Sequence, residues 1–534
     1  MSENAKKEPR MMTGVAILML ASLFEKILGV LFKRPLNDML GDVGMGYFNS
    51  AYSIFSTFYT ISLTGFPIAV SMMISRSRAK GRIVEVNKIY RTALAVFSSL
   101  GIIGSAVMFF GADLIANFID SKNNSPLCIK AIAPILLIIC ISSSIKGFFQ
   151  GHQNMIPTAV SEFLDALGKC ALGVVLAIYA AGKSYSVEIC AAYAIAGVTI
   201  GHLLGLSFLT VFKIASKPKY SGELSDESEG YGALVKTLFA IAVPITLSSV
   251  ALGLTANIDT FTIMNCLDSS DGMAKYGAYS TLAVTLFRLP QAFILPISSA
   301  LTPALSSAIS AGNVPRSKST MTSALKLATV ISMPCMFGMS VLSYPIIYLI
   351  FGNANSEASV AQNAPYLSIL SIGIFFMAML TVTSSILQSH KMQKMPVIAA
   401  IFGALTKLVL NIILISNFGM IGAPISSAAG YFVMAAVNFA FVYKYVYPEL
   451  KIVKIFAKTF ISSAVMAGFA VGAYYLMKYL INSPKISVII AILISIVVYA
   501  FVLFKTKGVE KEDILLLPNG EKIYGFFKKI KLMR

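Results

Sequence analysis

The 534-residue chain contains no tryptophan and only three histidines, His152, His202 and His390. None of them sits in an H-E-x-x-H setting, so metallohydrolase chemistry has no support and no metal ligands are expected. Six cysteines (Cys128, Cys140, Cys170, Cys190, Cys266 and Cys335) are scattered without a C-x-x-C pair and fall mostly in or beside apolar stretches. There they read as packing thiols, not as disulfides or metal ligands. Acids are scarce as well: 24 Asp and Glu stand against 43 Lys and Arg, a formal net charge of +19. The cationic excess is spread over many short segments and forms no stripe with interleaved aromatics. That argues against a nucleic-acid groove and suits loops that meet anionic lipid. Gly182, Lys183 and Ser184 spell the end of a P-loop, but Ala177 occupies the place of the earlier glycine. Nucleotide hydrolysis is therefore not expected, no catalytic residue is assigned, and any work must draw on ion, potential or substrate gradients.

Apolar length is what the chain has, with 57% hydrophobic residues. Fourteen apolar stretches cover 11–32, 47–74, 92–111, 131–149, 156–181, 185–212, 237–256, 276–308, 327–351, 364–387, 395–416, 420–443, 459–477 and 486–504. Most can cross a hydrocarbon core of roughly 30 Å. The first is too long for a secretory signal and lacks a small-x-small cleavage site, so it is expected to stay. With the N-terminus in the cytoplasm, 31 of the 43 cations fall in inward parts and 8 in outward gaps, Lys33 and Arg34 among the latter. This bias predicts a multi-pass protein of the bacterial cell membrane with both termini cytoplasmic.

Two parts of the chain echo one another. FFQGHQNMIPTAVSEFLDALGK (148–169) aligns with ILQSHKMQKMPVIAAIFGALTK (386–407), pairing Gln150 with Gln388, His152 with His390 and Lys169 with Lys407 at an offset of 238. Pro67 and Pro296 form a second echo, each ahead of a loop with Gly81 or Gly312. The fold class read from this is an all-α polytopic membrane protein of fourteen transmembrane helices: two pseudo-symmetric six-helix lobes in parallel repeat, plus two C-terminal helices. The expected divisions are an N-terminal lobe (1–215), a cytoplasmic linker (216–230), a C-terminal lobe (231–450), the two extra helices (451–505) and a basic amphipathic tail (506–534).

Charges inside apolar stretches cost about 2.5 to 3.5 kcal/mol each at the bilayer centre and usually have a task. The first stretch carries Glu25 and Lys26, with Lys33 on roughly the same face; mutual neutralisation of the first two competes with substrate binding. Glu162, Asp165 and Lys169 share one helical stripe, and Asp165 can reach Lys169 one turn on, giving a lobe ion pair or a coupling-ion site. The second half keeps Lys407 near Asn411 but has Ala400 and Gly403 in place of the acids. Arg288 has no acid three or four residues away and precedes Pro290, Pro296 and Pro303, which makes it the leading candidate for a phosphate contact; Asp259 is the candidate structural partner.

GFFQGHQNMIPTAV (147–160), ILQSHKMQKMPV (386–397), KLVLNIILI (407–415), GYFNSAY (46–52, containing Asn49) and LPISSALTPALS (295–306) closely resemble Gram-positive polysaccharide-biosynthesis and stage V sporulation protein B-like members of the MOP exporter superfamily. That group includes MurJ-type lipid II flippases, and the resemblance covers residues 11 to 505. It implies two lobes in a V, alternating access, a central cavity lined by the first two helices of each lobe, and a groove for a polyprenyl tail on the two extra helices. Lys26, Lys33 and Arg288 would then line the cavity, with Glu25 and Asn49 as further substrate contacts. Gram-negative members carry several arginines in helices 1 and 2, whereas this chain has lysines in helix 1 and no charge in the core of helix 2.

The function read from these features is a monomeric transporter, not an enzyme. It would flip an undecaprenyl-pyrophosphate-linked cell-wall precursor, foremost lipid II, to the outer leaflet in vegetative peptidoglycan synthesis, cell-shape maintenance or sporulation. It would need no cofactor, and a coupling cation, Na+ or H+, is left open. The alternatives are another lipid-linked oligosaccharide, a cation-coupled multidrug antiporter of the same superfamily, and a non-transporting scaffold for cell-wall or spore enzymes. The topology has a direct check. A cysteine at Asn355 should react with an impermeant thiol reagent added outside, and one at Gly222 should not. Labelling of Gly222 in intact cells would overturn the fourteen-span reading.

Overall fold

The computed structural model describes residues 8–119, 125–152, 154–216, 228–267, 272–310, 312–352, 357–448 and 452–506. Most of the expected linker, all of the tail beyond 506, and the positions Asn355 and Gly222 lie outside these residues. The described residues are helical, and each of the fourteen apolar stretches falls on helix. Ten helical stretches among them are long and apolar enough to cross a membrane, one of which, Lys394–Val446, contains two of the sequence stretches. The count of fourteen crossings rests on the sequence.

In chain order the helices are α1 (Glu8–Ala79), α2 (Ile83–Phe110), α3 (Ala112–Ile119), α4 (Pro126–Ile132), α5 (Ile135–Gly151), α6 (Ile156–Gly182), α7 (Val187–Ala215), α8 (Tyr231–Cys266) and α9 (Gly272–Ala278). A π-helical turn (Tyr279–Val284) leads to α10 (Thr285–Phe287) and α11 (Gln291–Ser310). Then come α12 (Val314–Val341), α13 (Ser343–Phe351), α14 (Glu357–Ser389), α15 (Lys394–Phe418), α16 (Gly422–Phe441), α17 (Ile452–Ile481) and α18 (Pro484–Lys505). The chain forms two compact units, Met1–Gly277 and Ala278–Arg534. Helix α8, which the repeat reading gives to the second lobe, packs on α1 within the first unit.

Two sequence expectations are corrected here. The gap between the first two stretches, which holds Lys33 and Arg34, is helix and not loop: α1 runs through it and breaks only at Gly41 (φ 63°, ψ −176°), a conformation open to glycine alone. The stretch 276–308 is conversely not one helix, because it stops at a turn over Arg288–Pro290. Pro290 has no N–H to continue the ladder, and Leu289 N donates instead to Leu286 O at 3.0 Å, a tightened turn.

The repeat is carried by two equivalent pairs of turns. Gly81 (φ 71°) and Gly312 (φ 65°) each end a helix in left-handed backbone. Arg82 N bonds Ser77 O at 2.9 Å in the first, and Asn313 N bonds Ala308 O at 3.0 Å in the second. In the other pair, Asn154 N bonds Phe149 O at 3.0 Å and Met392 N bonds Leu387 O at 2.9 Å, before α6 and α15 begin at matching positions.

Within the first unit the tightest pairing joins α6 to α7. Gly197, Gly201 and Gly205 recur every four residues on α7 and face Gly168 and Gly173 of α6. Such small-residue stripes let backbones touch, which helices in lipid need because burying apolar side chains drives nothing there. A β-carbon on Gly201 would press on the Lys169 backbone nitrogen, which cannot retreat. Gly201→Leu should therefore abolish the monodisperse peak in detergent gel filtration. Gly182→Ala, where a β-carbon meets nothing within 4 Å, should stay within about 0.5 kcal/mol of wild type. A monodisperse Gly201→Leu protein would show that the seam is dispensable.

Candidate functional site

Helix α6 does present Glu162, Asp165 and Lys169 on one stripe, but the expected Asp165–Lys169 pair does not form. Lys169 Nζ donates instead to Glu25 Oε1 of α1 at 3.1 Å. The acids turn to Lys146 of α5, whose Nζ lies 3.5 Å from Glu162 Oε1 and 3.9 Å from Asp165 Oδ2. His202 Nδ1 of α7 approaches the same Asp165 oxygen at 3.5 Å. The reason is the glycine seam: with no side chain on Gly205, the Asp165 carboxylate fills that space beside α7 and turns away from Lys169. Asp165 Oδ1, buried there, accepts no hydrogen bond among the described residues. Glu25 thus has Lys169 as its direct ion-pair partner across the two helices. Lys26 is exposed.

A second polar group sits further along α1. Lys33 Nζ donates to Asn49 Oδ1 at 3.0 Å, so these two candidate substrate contacts bind each other across the Gly41 break. The Asn49 carbonyl accepts from Tyr276 at 3.5 Å, Tyr276 and Thr260 share a hydrogen bond at 2.7 Å, and Thr260 meets Ser53 at 2.9 Å. Asp259, next to Thr260 on α8, is buried.

Arg288 stands apart in the second unit. It is exposed in the turn that interrupts α10 and α11, one turn after the π-helical segment, and makes no ion pair among the described residues. On α15, Lys407 and Asn411 are buried. The place of Asp165 is taken by Gly403, and a β-carbon there would strike Met434 of α16. The place that Asp165 fills in one half is filled by a thioether in the other.

The histidines of the repeat do structural work. His152 Nδ1 donates to Phe148 O at 2.8 Å and His390 Nδ1 to Ile386 O at 2.9 Å, so each ring closes the end of its helix. Burial pushes His152 down to about 4, which keeps it neutral at physiological pH. Gln150 and Gln388 lie two residues earlier on α5 and α14. Sequence reasoning missed Lys146 and His202 as members of the charge cluster. The glycines at 197, 201 and 205 were the available signal, because such a stripe marks where α7, with His202 on it, meets another helix. Among the described residues, no three His, Cys, Asp or Glu side chains converge to hold a metal ion.

This architecture has known counterparts. The model of the family described as polysaccharide biosynthesis protein matches residues 11–309. The chain belongs to that family. The MatE family model also matches, over residues 244–413. The lipid II flippase MurJ of Bacillus subtilis (strain 168) is 26% identical over 551 residues, covering 97% of this chain and 98% of the relative. Among solved structures, lipid II flippase MurJ in an inward closed conformation superposes with a TM-score of 0.66 at 19% identity, covering 91% of this chain and 98% of that one. An inward-facing multidrug resistance MATE family transporter gives 0.67 at 16% identity, covering 80% and 97%. With its apolar helices, the protein is a multi-pass membrane protein that shares the fold of the MurJ and MATE structures.

The cluster makes a stability claim. Lys146→Met leaves Glu162 and Asp165 facing each other without their cation, a loss of roughly 3 to 5 kcal/mol for a broken buried pair. Its abundance in membranes should fall sharply, and adding Glu162→Gln and Asp165→Asn should restore part of it. Full abundance of Lys146→Met alone would remove the cluster from the scaffold.

Proposed function

We propose that the protein is a flippase that carries an undecaprenyl-pyrophosphate-linked cell-wall precursor, foremost lipid II, from the inner to the outer leaflet by alternating access. The carrying observation is the charge inventory of the apolar helices. Glu25, Glu162 and Asp165 each face a lysine, whereas Arg288 is exposed and makes no ion pair among the described residues. The charge left for a ligand is cationic, and a guanidinium fork suits the oxygens of a pyrophosphate. The near full-length similarity to the B. subtilis lipid II flippase supports the same reading. An interior-negative potential adds about 2.3 kcal/mol per charge per 100 mV to outward movement of an anion.

A cation-coupled drug antiporter, the reading that the MatE match keeps in view, would need a carboxylate for its substrate, and these three acids are occupied by lysines. Any coupling ion, H+ or Na+, is assigned to the α5–α6–α7 cluster, where Asp165 Oδ1 lacks a donor. The other proposed features are an undecaprenyl-linked oligosaccharide as the alternative cargo, action as a monomer, anionic lipid at the cytoplasmic loops and cytoplasmic termini.

At matched expression, Arg288→Ala should lower binding of a lipid-linked pyrophosphate by roughly 10- to 100-fold, the range for a lost charged hydrogen bond, and should fail to complement. Arg288→Lys keeps the charge without the fork and should retain intermediate activity. Normal binding and complementation by the alanine variant would sink the cationic-site reading. Transport of cationic dyes in place of lipid-linked sugars by the reconstituted protein would favour the antiporter.

A further inference from the structure

Within the second unit, the α12–α13 junction and the last turns of α17 enclose a cavity of about 400 Å³. It contains neither Arg288 nor any residue of the charge cluster. Ser343, Tyr344, Tyr474, Tyr475 and Lys478 all line it, and all can donate hydrogen bonds. Tyr474 is only 5% exposed, yet its hydroxyl has no hydrogen-bond partner among the described residues. The residue lines the cavity, so its hydroxyl is available to donate to a ligand held there. Lys478 makes no ion pair among the described residues, and the nine-residue α13 begins at the cavity with no side-chain cap, so its free amide end also favours an anion.

The wall is well braced. Lys485 of α18 donates to Gly352 O at 2.8 Å and lies 5.6 Å over the Tyr348 ring, which ties the α17–α18 turn to the end of α13. Tyr344 stacks on Tyr348 and donates to Glu357 Oε1 at 3.4 Å. An interfacial aromatic belt would account for Tyr475 and Tyr479, which are 65% and 85% exposed. It does not require a hollow lined by Tyr474 and Lys478. Val341, which lines the cavity, is an exposed apolar side chain suited to contact with an acyl chain.

We propose that this cavity holds the phosphate of an anionic phospholipid head group, with Lys478 and the Tyr474 hydroxyl as its contacts. On the charge bias of the loops this end of the bundle faces outward, which assigns the lipid to the outer leaflet.

The test uses the full chain purified in detergent, with phosphatidylglycerol, phosphatidylcholine or inorganic phosphate added and retained lipid measured by native mass spectrometry. Wild type should retain phosphatidylglycerol over phosphatidylcholine, with inorganic phosphate competing weakly. Lys478→Ala should weaken retention about five-fold, in line with one basic side chain at a lipid surface. Lys478→Arg should restore it, and Tyr474→Phe, which keeps the ring and removes only the hydroxyl, should also lose retention. Equal retention of the two lipids, or unchanged retention in both Lys478→Ala and Tyr474→Phe, would overturn the proposal. Complete displacement of phosphatidylglycerol by millimolar inorganic phosphate would overturn the lipid assignment in favour of a soluble anion.

Discussion

The first unit is organised around the approach of α6 and α7 to backbone contact, because that approach decides where buried charge can go. Helices in lipid gain little by hiding leucine from leucine, so small residues that let backbones meet supply the association. Gly197, Gly201 and Gly205 do this on α7, and the space above Gly205 becomes the seat of the Asp165 carboxylate. Once Asp165 is seated there, Lys146 and His202 are its neighbours, and Lys169 is released to hold Glu25 on α1. Four helices are thereby joined by charges that none of them could carry alone. A buried ion pair adds little net stability against an apolar replacement, but its loss is expensive, so it fixes register more than it adds strength.

The second unit keeps the buried lysine, Lys407, but has no acids at the matching positions. At the matching positions α15 has Ala400 and Gly403, and Met434 fills the gap, a flexible side chain well suited to irregular space. Neutral polar ties there include Asn438, which donates to Ser384 Oγ at 2.9 Å and to Thr383 Oγ1 at 3.3 Å, and Ser340, which meets Ser368 at 3.1 Å. The two halves share turns and helix register and differ in the chemistry between paired helices. The asymmetry confines the acid–lysine cluster to the first unit. It leaves Arg288, at a broken helix in the second unit, as an exposed permanent charge on the apolar path of the chain.

Helix breaks fall where the backbone requires them. Gly41 takes a conformation no other residue holds comfortably, and Pro290 removes a donor just after Arg288. Pro134 separates α4 from α5, where Ser105 of α2 donates to Ala133 O at 2.8 Å and accepts from Leu137 N at 3.2 Å. The breaks at Pro134 and Pro290 are met by a side chain and by a tightened turn respectively, as a medium without water demands.

The sequence by itself determined the membrane class, the helical stretches and the doubled turn motif. These depend on local properties: apolar length, loop charge, and residues such as Gly81, Gly312, His152 and His390, whose conformations and hydrogen bonds are made within one turn. The family was legible for the same reason, since its motifs are contiguous runs. Charge partners were not. Spacing along α6 placed Asp165 within reach of Lys169, but reach on one helix is only one of several ways to neutralise a carboxylate. The choice was made by α5 and α7, which bring Lys146 and His202 to Asp165 across sequence separations that no periodicity records. Tertiary structure also decided that Lys33 binds Asn49, and that a cavity opens beside Tyr474 and Lys478. Each depends on how closely distant backbones can approach, and so on packing.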